Sequence, residues 1–100
     1  MNKVEIAQKA AEIIGGDRAG LHGDVAKNHA NIAALWNAIL GVAGKLNAPL
    51  DAHDAATMME GLKIARRYSG AFNLDDYIDG AGYAACAGEI AEQLAKESKS

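Results

Sequence analysis

The sequence predicts an all-α protein that forms a single domain, residues 1–100, of four helices in a bundle-like arrangement. Three observations support this prediction. Apolar residues recur at spacings of three and four, no segment shows the sustained alternation of a strand, and glycine or proline connectors divide the chain into four stretches. The length of 100 residues suits one small domain. The predicted helices cover about residues 3–14, 24–43, 51–68 and 75–96.

The first two helices carry start signals. Asn2 precedes the first helix with Glu5 placed to complete a capping box, and Gly15 and Gly16 end it. Asp24 is placed to cap the second helix. The apolar face expected for this second helix consists of Val25, Ile32, Leu35, Trp36 and Ile39.

The last two helices begin with acidic residues, which favour the positive end of the helix dipole. Asp51 is the expected N-cap of the third helix, with Asp54 in its first turn, and Asp75 with Asp76 opens the fourth helix. The only proline, Pro49, lies in the connector before the third helix. These signals fix where the helices start.

Composition limits the size of the core. Hydrophobic residues make up 50% of the chain, but only 5% of residues are aromatic and eleven are glycine, so we expect a thin core and a homodimer or higher oligomer. The glycine-rich run 80–88 suits close approach by another helix or a second subunit, or leaves room for a ligand beside it. The net charge of −3 argues against general nucleic-acid binding.

Cysteine use and hydropathy suggest a cytosolic protein without membrane contact. The single cysteine, Cys86, has no intramolecular partner and lies among small residues, which favours a buried structural thiol over a reactive one. The first residues do not form a signal segment, and no stretch approaches the roughly 20 apolar residues that span a membrane. We therefore expect a cytoplasmic location.

Charged residues on the third and fourth helices form the densest polar signal. Lys63 and Arg66 lie beside an apolar seam, while Asp76, Asp79 and Tyr83 share one stripe of the fourth helix. One interpretation is an ion pair that clamps the two helices together. The other is a ligand site, in which the cations hold a phosphate or carboxylate and the two aspartates hold Mg²⁺. The sequence leaves both open.

A second polar group lies in the loop of residues 15–24 and at the start of the second helix. Arg18 and His22 accompany glycines that expose backbone N–H groups, which suits either an anion cradle or a plain connector. Asn28 or His29 is expected on the apolar face, where it either satisfies nearby backbone or reaches a ligand. The three histidines lack zinc-ligand spacing, and no Ser/His/Asp or Cys/His arrangement is indicated.

These residues resemble a small family of uncharacterised proteins from tailed phages and prophages. The match is carried by Gly16-Asp17-Arg18, His22-Gly23-Asp24, Asn28, Ile32-Ala33-Ala34-Leu35-Trp36, Met58-Met59, Leu62-Lys63-Ile64-Ala65-Arg66, Asp75-Asp76, Asp79 and Ala81-Gly82-Tyr83-Ala84. The third helix and the Gly-Tyr pair are also similar to the phage nucleotide modification associated domain, for which a role near nucleotide metabolism has been proposed. The chain differs by His22, where a tyrosine is common, and by its longer connector 41–50.

The resemblance implies a nucleotide or similar anionic ligand, bound where the polar positions meet at one end of the bundle. Lysine and arginine would meet phosphate, the ring of Trp36 or Tyr83 would stack on a base, and Asp76 or Asp79 would hold either Mg²⁺ or a ribose hydroxyl. The cofactor is otherwise unknown. The ligand-binding residues implied are Arg18, Asn28, Lys63, Arg66, Asp76, Asp79 and Tyr83.

The distribution of acidic residues along the predicted helices does not indicate catalysis. MazG-type helical pyrophosphatases use paired glutamates on one helix and an acidic pair on the next, whereas the second helix here has no carboxylate after Asp24. Two non-enzymatic alternatives stay open. One is an interaction protein of the host cytoplasm that sequesters or inhibits a host defence component, and the other is a structural helical adaptor.

Overall fold

A computed structural model of the chain describes residues 1–16, 25–68 and 70–98, without the side chains of Asn28 and Asn31. The expected capping by Asp24 and the loop before it lie outside the described residues. The described residues form four helices: α1 (Lys3–Gly15), α2 (Val25–Val42), α3 (Ala52–Arg66) and α4 (Leu74–Glu97). The described ranges contain no strand. The predicted all-α class with four helices in one domain is confirmed.

Two reciprocal capping boxes start α1 and α3. The Glu5 N–H donates to Asn2 Oδ1 at 2.9 Å, and the Asn2 N–H donates back to Glu5 Oε1 at 3.1 Å. Asp51 and Asp54 form the same pattern at 2.8 and 3.0 Å. Each box satisfies N–H groups that have no partner within the helix. The capping box predicted for the first helix is confirmed.

The connectors before α3 and α4 are held by asparagine side chains. The Asn37 amide of α2 donates to the carbonyl of Leu50 at 3.0 Å and accepts its N–H at 2.8 Å, which fixes the chain just before α3. Asn73 is the N-cap of α4, and its Oδ1 accepts the N–H of Asp75 at 3.0 Å. Asp75 and Asp76 therefore occupy the first turn, as their sequence position suggested.

The helices pack in the spatial order α1, α4, α3, α2, which differs from a closed bundle. α3 and α4 make the most extensive contact, α2 packs on α3, and α1 packs on α4. α2 also meets α4, over a small area. Within the described residues α1 contacts neither α2 nor α3. The resulting molecule is flat, with extents of 41 × 37 × 25 Å.

The core consists mainly of small side chains. Its apolar members are Ala10, Ala33, Ala55, Ala56, Ile78, Ala87 and Ile90. Ile90 is the largest side chain that is fully buried among the described residues. The main cluster joins the starts of α2 and α3 to the second half of α4, so α3 and α4 run antiparallel. Because alanine fills little volume, the core is thin, as the composition suggested.

The apolar face expected for the second helix is partly wrong. Ile32 and Trp36 are half-buried, but Leu35 and Ile39 turn outward and are 62% and 56% exposed. Apolar residues surround much of α2, so the 3.6-residue period does not select one inward side. The packing of α2 against α3 determines which residues are covered.

Glycines in α4 allow a direct test of this packing. Gly88 is exposed and an added Cβ would meet nothing within 4 Å, whereas a Cβ at Gly82 would lie 3.2 Å from Ile14 Cγ2 of α1. We expect Gly88→Ala to raise the free energy of unfolding in urea by about 0.5–1 kcal/mol, because alanine restricts the unfolded chain more than glycine does. Gly82→Ala must displace Ile14 and should gain less or lose stability. Equal gains at both positions would contradict the close approach of α1 and α4.

Candidate functional site

An ion pair connects α3 to α4. Lys63 Nζ lies 3.1 Å from Asp79 Oδ2, and the two side chains are 13% and 27% exposed. We call these two residues the seam pair. Its partial burial weakens screening by solvent and strengthens the attraction between the two charges. The interhelix ion pair that the sequence indicated is therefore present, and solvent still reaches it.

A second cation, Arg67, lies beside the seam pair. Its Cζ is 4.5 Å from the ring centroid of Tyr77 in a cation–π contact. A Cβ added at Gly80 would be 3.1 Å from Arg67 Nη2 and 3.6 Å from Lys63 Cβ. Glycine at position 80 thus leaves room for both cations across the backbone of α4. Arg67 caps α3 in a helical conformation, so it continues the side of the helix that carries Lys63, four residues earlier.

A polar stripe on α4 extends in both directions from the seam pair. Asp76, one turn before Asp79, is only 6% exposed, and Tyr83 lies one turn after it and is half-buried. Asp76 belongs to the first turn of α4, where the helix dipole favours a negative charge. One face of α4 therefore presents two carboxylates and a phenol in sequence.

His29 of α2 meets this stripe at Tyr83. The two rings contact edge to face, with centroids 6.4 Å apart and planes at 85°. His29 is 4% exposed, and its Nδ1 lies 2.9 Å from the Val25 carbonyl oxygen. Because a carbonyl only accepts, Nδ1 must carry the proton of this hydrogen bond. In the neutral ring Nε2 is then an acceptor; it is buried, and none of the described residues supplies it with a hydrogen bond.

The predicted site residues do not all meet here. Lys63 pairs with Asp79, Tyr83 contacts His29, and Asp76 shares the α4 stripe with Asp79 and Tyr83. Arg66 is exposed, as is Arg67, and has no contact with this group among those described. Arg18 and the side chain of Asn28 lie outside the described residues. The sequence analysis missed Arg67, although its four-residue spacing from Lys63 places both cations on one side of a helix.

The described part of the chain has a group of possible metal ligands elsewhere. Ligand atoms of Asp51, His53 and Asp54 lie within 4.8 Å of one another. Both carboxylates already accept the capping hydrogen bonds of α3. Helix capping explains why these three side chains lie close together. The binding of Mg²⁺ by Asp76 and Asp79, a different pair on α4, stays a prediction from the sequence.

Cys86 lies further along α4, half-buried and without a disulfide partner. Burial raises the pKa of its thiol above the ordinary value, and the nearby negative charge of Glu89 raises the pKa further. Both effects favour the neutral thiol, which is a poor nucleophile. The environment of Cys86 agrees with a structural thiol.

The four helices, the seam pair and the polar stripe of α4 define a small all-helical protein with a candidate ligand site. Sequence comparison identifies its family. A family model described as "Domain of unknown function (DUF6378)" matches residues 5–91, so the chain belongs to that family. The matched region includes all of α2 and α3 and the site residues on α4.

Two relatives are phage proteins. The "Gene 55 protein" of Mycobacterium phage L5 is 41% identical over 81 residues, which cover 81% of this chain and 49% of the relative. The "Gene 55 protein" of Mycobacterium phage D29 is 32% identical over 88 residues, covering 88% of this chain and 54% of the relative. The chain thus spans about half of each relative's length. The resemblance to an uncharacterised phage family is confirmed.

No solved structure resembles the chain significantly. In the described residues, no helix combines the length and the apolar character needed to cross a membrane.

Removing one member of the seam pair should destabilise the fold. We expect Asp79→Asn to lower the free energy of unfolding by about 1–3 kcal/mol, because it leaves the Lys63 ammonium in a half-buried position without its carboxylate. Adding Lys63→Met should recover part of the loss. The control is Glu92→Gln, which breaks the pair of Glu92 with Lys96 on the same helix; those side chains are 68% and 74% exposed, and less than about 0.5 kcal/mol should be lost.

Urea unfolding of these four proteins gives the comparison. A loss for Asp79→Asn no larger than that for Glu92→Gln would show that the seam pair contributes no more than an exposed pair. A Lys63→Met addition that lowers stability further would show that the stranded cation is not the cause of the loss.

The raised pKa of Cys86 should be visible in its reactivity. The alkylation rate with iodoacetamide follows the thiolate fraction, so it should increase with pH around a higher midpoint in the folded protein than in the same chain unfolded in urea. At neutral pH the folded protein should react more slowly. A midpoint at or below that of the unfolded chain would identify Cys86 as an activated thiol.

Proposed function

We propose that this protein is a phage or prophage accessory protein that binds a nucleotide or a similar phosphate-bearing anion at the seam between α3 and α4. The phosphate meets Lys63 and Arg67. The rest of the ligand extends along α4 toward Tyr83 and His29.

The two cations between α3 and α4, Lys63 and Arg67, suit such an anion. A phosphate carries more negative charge than one carboxylate and accepts hydrogen bonds from an ammonium and a guanidinium together. Asp79 is 27% exposed, so a phosphate from solvent can displace it from Lys63. The displaced carboxylate, with Asp76 one turn away, would face the Mg²⁺ that commonly accompanies nucleotide phosphates.

The observation that carries the proposal is the unpaired acceptor of His29. A clamp between two helices explains the seam pair, but it gives the buried Nε2 of a third helix no partner among the residues that the structure describes. A nucleoside hydroxyl or amino group supplies the missing hydrogen-bond donor. Tyr83, which contacts His29, follows Asp79 by one turn, or about 6 Å along the helix, a distance that a nucleoside monophosphate spans.

We propose binding without turnover. The similarity of the third helix and the Gly-Tyr pair to the phage nucleotide modification associated domain supports a nucleotide as the ligand. α2 contains no carboxylate, so the paired acidic residues of MazG-type hydrolysis are missing from that helix. In this role the protein holds a nucleotide for another enzyme or sequesters one from a host defence system.

A second candidate is a structural helical adaptor. The 3.1 Å contact between Lys63 and Asp79 favours it, because the ion pair already joins two helices without any ligand. Under this alternative His29 bonds to a buried water, and no small anion changes the stability of the protein.

The test is a thermal-shift screen against nucleotides and cyclic dinucleotides, each with and without Mg²⁺. A ligand at 100 times its Kd stabilises the folded state by about 2.7 kcal/mol, which raises the melting temperature of a domain of this size by several degrees. The shift should be lost in Lys63→Met, which removes the charge, and in His29→Phe, which keeps a buried ring without an acceptor. Each variant is compared with its own ligand-free melting temperature.

The control is Lys9→Met, which removes an exposed lysine that pairs with Glu12 on α1. This variant should keep the full ligand-induced shift. A shift lost equally in Lys9→Met would indicate general charge attraction. Wild-type protein that responds to no nucleotide, while Lys63→Met melts lower, would establish the adaptor alternative instead.

A further inference from the structure

The outer face of α2 lacks the charges that a solvent-exposed helix normally carries. Among its 18 residues only Lys27 is charged, and residues 28–42 contain no Asp, Glu, Lys or Arg. Leu35, Ile39 and Val42 lie on one stripe at spacings of four and three, and they are 62%, 56% and 93% exposed. A helix that is apolar on its outer side is normally covered in the functional molecule.

This face combines a ridge with a groove. The ridge consists of Leu35, Ile39 and Val42. A stripe of small, exposed residues runs beside it: Ala34, Ala38 and Gly41. A Cβ at Gly41 would meet nothing within 4 Å. Ridges of large side chains that fill grooves of small ones are the basis of helix-on-helix packing.

The apolar surface continues from α2 onto α3. An open apolar depression of about 240 Å³ is lined by Trp36, Ile39, Leu40 and Met58. Met58 and Leu62 of α3 are each 46% exposed. A stable interface buries roughly 800 Å² on each partner, which takes a surface wider than one helix stripe. The ridge, the small residues and these α3 side chains form such a surface across two helices.

We propose that a second copy of this chain covers this face, with α2 packed against α2 about a two-fold axis. A two-fold interface needs a surface complementary to itself, and a ridge beside a groove on the same helix meets that need. Two identical faces without charged residues also meet without the like-charge repulsion that would oppose contact elsewhere on a chain of net charge −3. The proposal does not depend on the proposed ligand.

The experiment is sedimentation velocity over a concentration series of the whole chain. We expect the wild type to approach twice its mass of 10.4 kDa. Ile39→Glu should be monomeric, because it places a carboxylate in the centre of the apolar contact. Val42→Glu should also dissociate the dimer, and its side chain is 93% exposed within the chain, so the substitution leaves the monomer fold intact.

The matched control is Val4→Glu on α1. Val4 has the same 56% exposure as Ile39 but lies on another helix, so this variant should stay dimeric. Circular dichroism checks that every variant keeps its helix content. A wild type that is monomeric throughout the series would overturn the proposal, as would dimers that persist in both Ile39→Glu and Val42→Glu.

Cross-linking tests the two-fold geometry. In a Cys86→Ser background, single cysteines replace Leu35, Ile39 and Val42 in turn, and the proteins are oxidised. The position nearest the axis should give a disulfide-linked dimer, whereas Val4→Cys should give none. Absence of a cross-link at all three ridge positions would rule out packing of α2 on α2 about this axis.

Discussion

The close approach of α3 and α4 through small residues is the constraint on which the rest of the structure depends. Ala56 and Ala87 belong to the buried cluster at this contact, where leucine would fill a larger core. Small side chains bring helix backbones together but bury little apolar area per residue, so the chain gains limited hydrophobic stabilisation from this core. The larger apolar residues, including Leu35 and Met58, are left partly outside that contact.

The same close approach of α3 and α4 brings the charges of the seam pair together. Gly80 removes the side chain that would occupy the space of Lys63 and Arg67, so these two cations lie directly across α4. A larger residue would displace Lys63 toward solvent, where its ion pair with Asp79 would contribute little. The small-residue packing of the core and the concentration of charge are therefore two results of one local geometry.

The sequence predicted what local chemistry determines. Capping signals at Asn2 and Asp51 act within four residues, so the helix starts could be read without knowing the fold. The orientation of α2 could not, because a helix with apolar residues on most sides has no period that marks its inner face. The position of Arg67 beside Lys63 could not be predicted for a related reason: adjacent residues of a helix differ by about 100° in direction, and only the packed partner shows which of them approaches it.

α2 carries both the outer apolar face and His29, which contacts Tyr83 of the polar stripe on α4. α2 is attached mainly to α3, and it meets α4 over a small area that includes the contact of His29 with Tyr83. A helix held on one side only can shift relative to its weaker neighbour at low cost. A second copy packed on the outer face would press α2 toward the rest of the chain and fix His29 against the polar stripe. Dimer formation would then order the third wall of the ligand site without contributing a side chain to it.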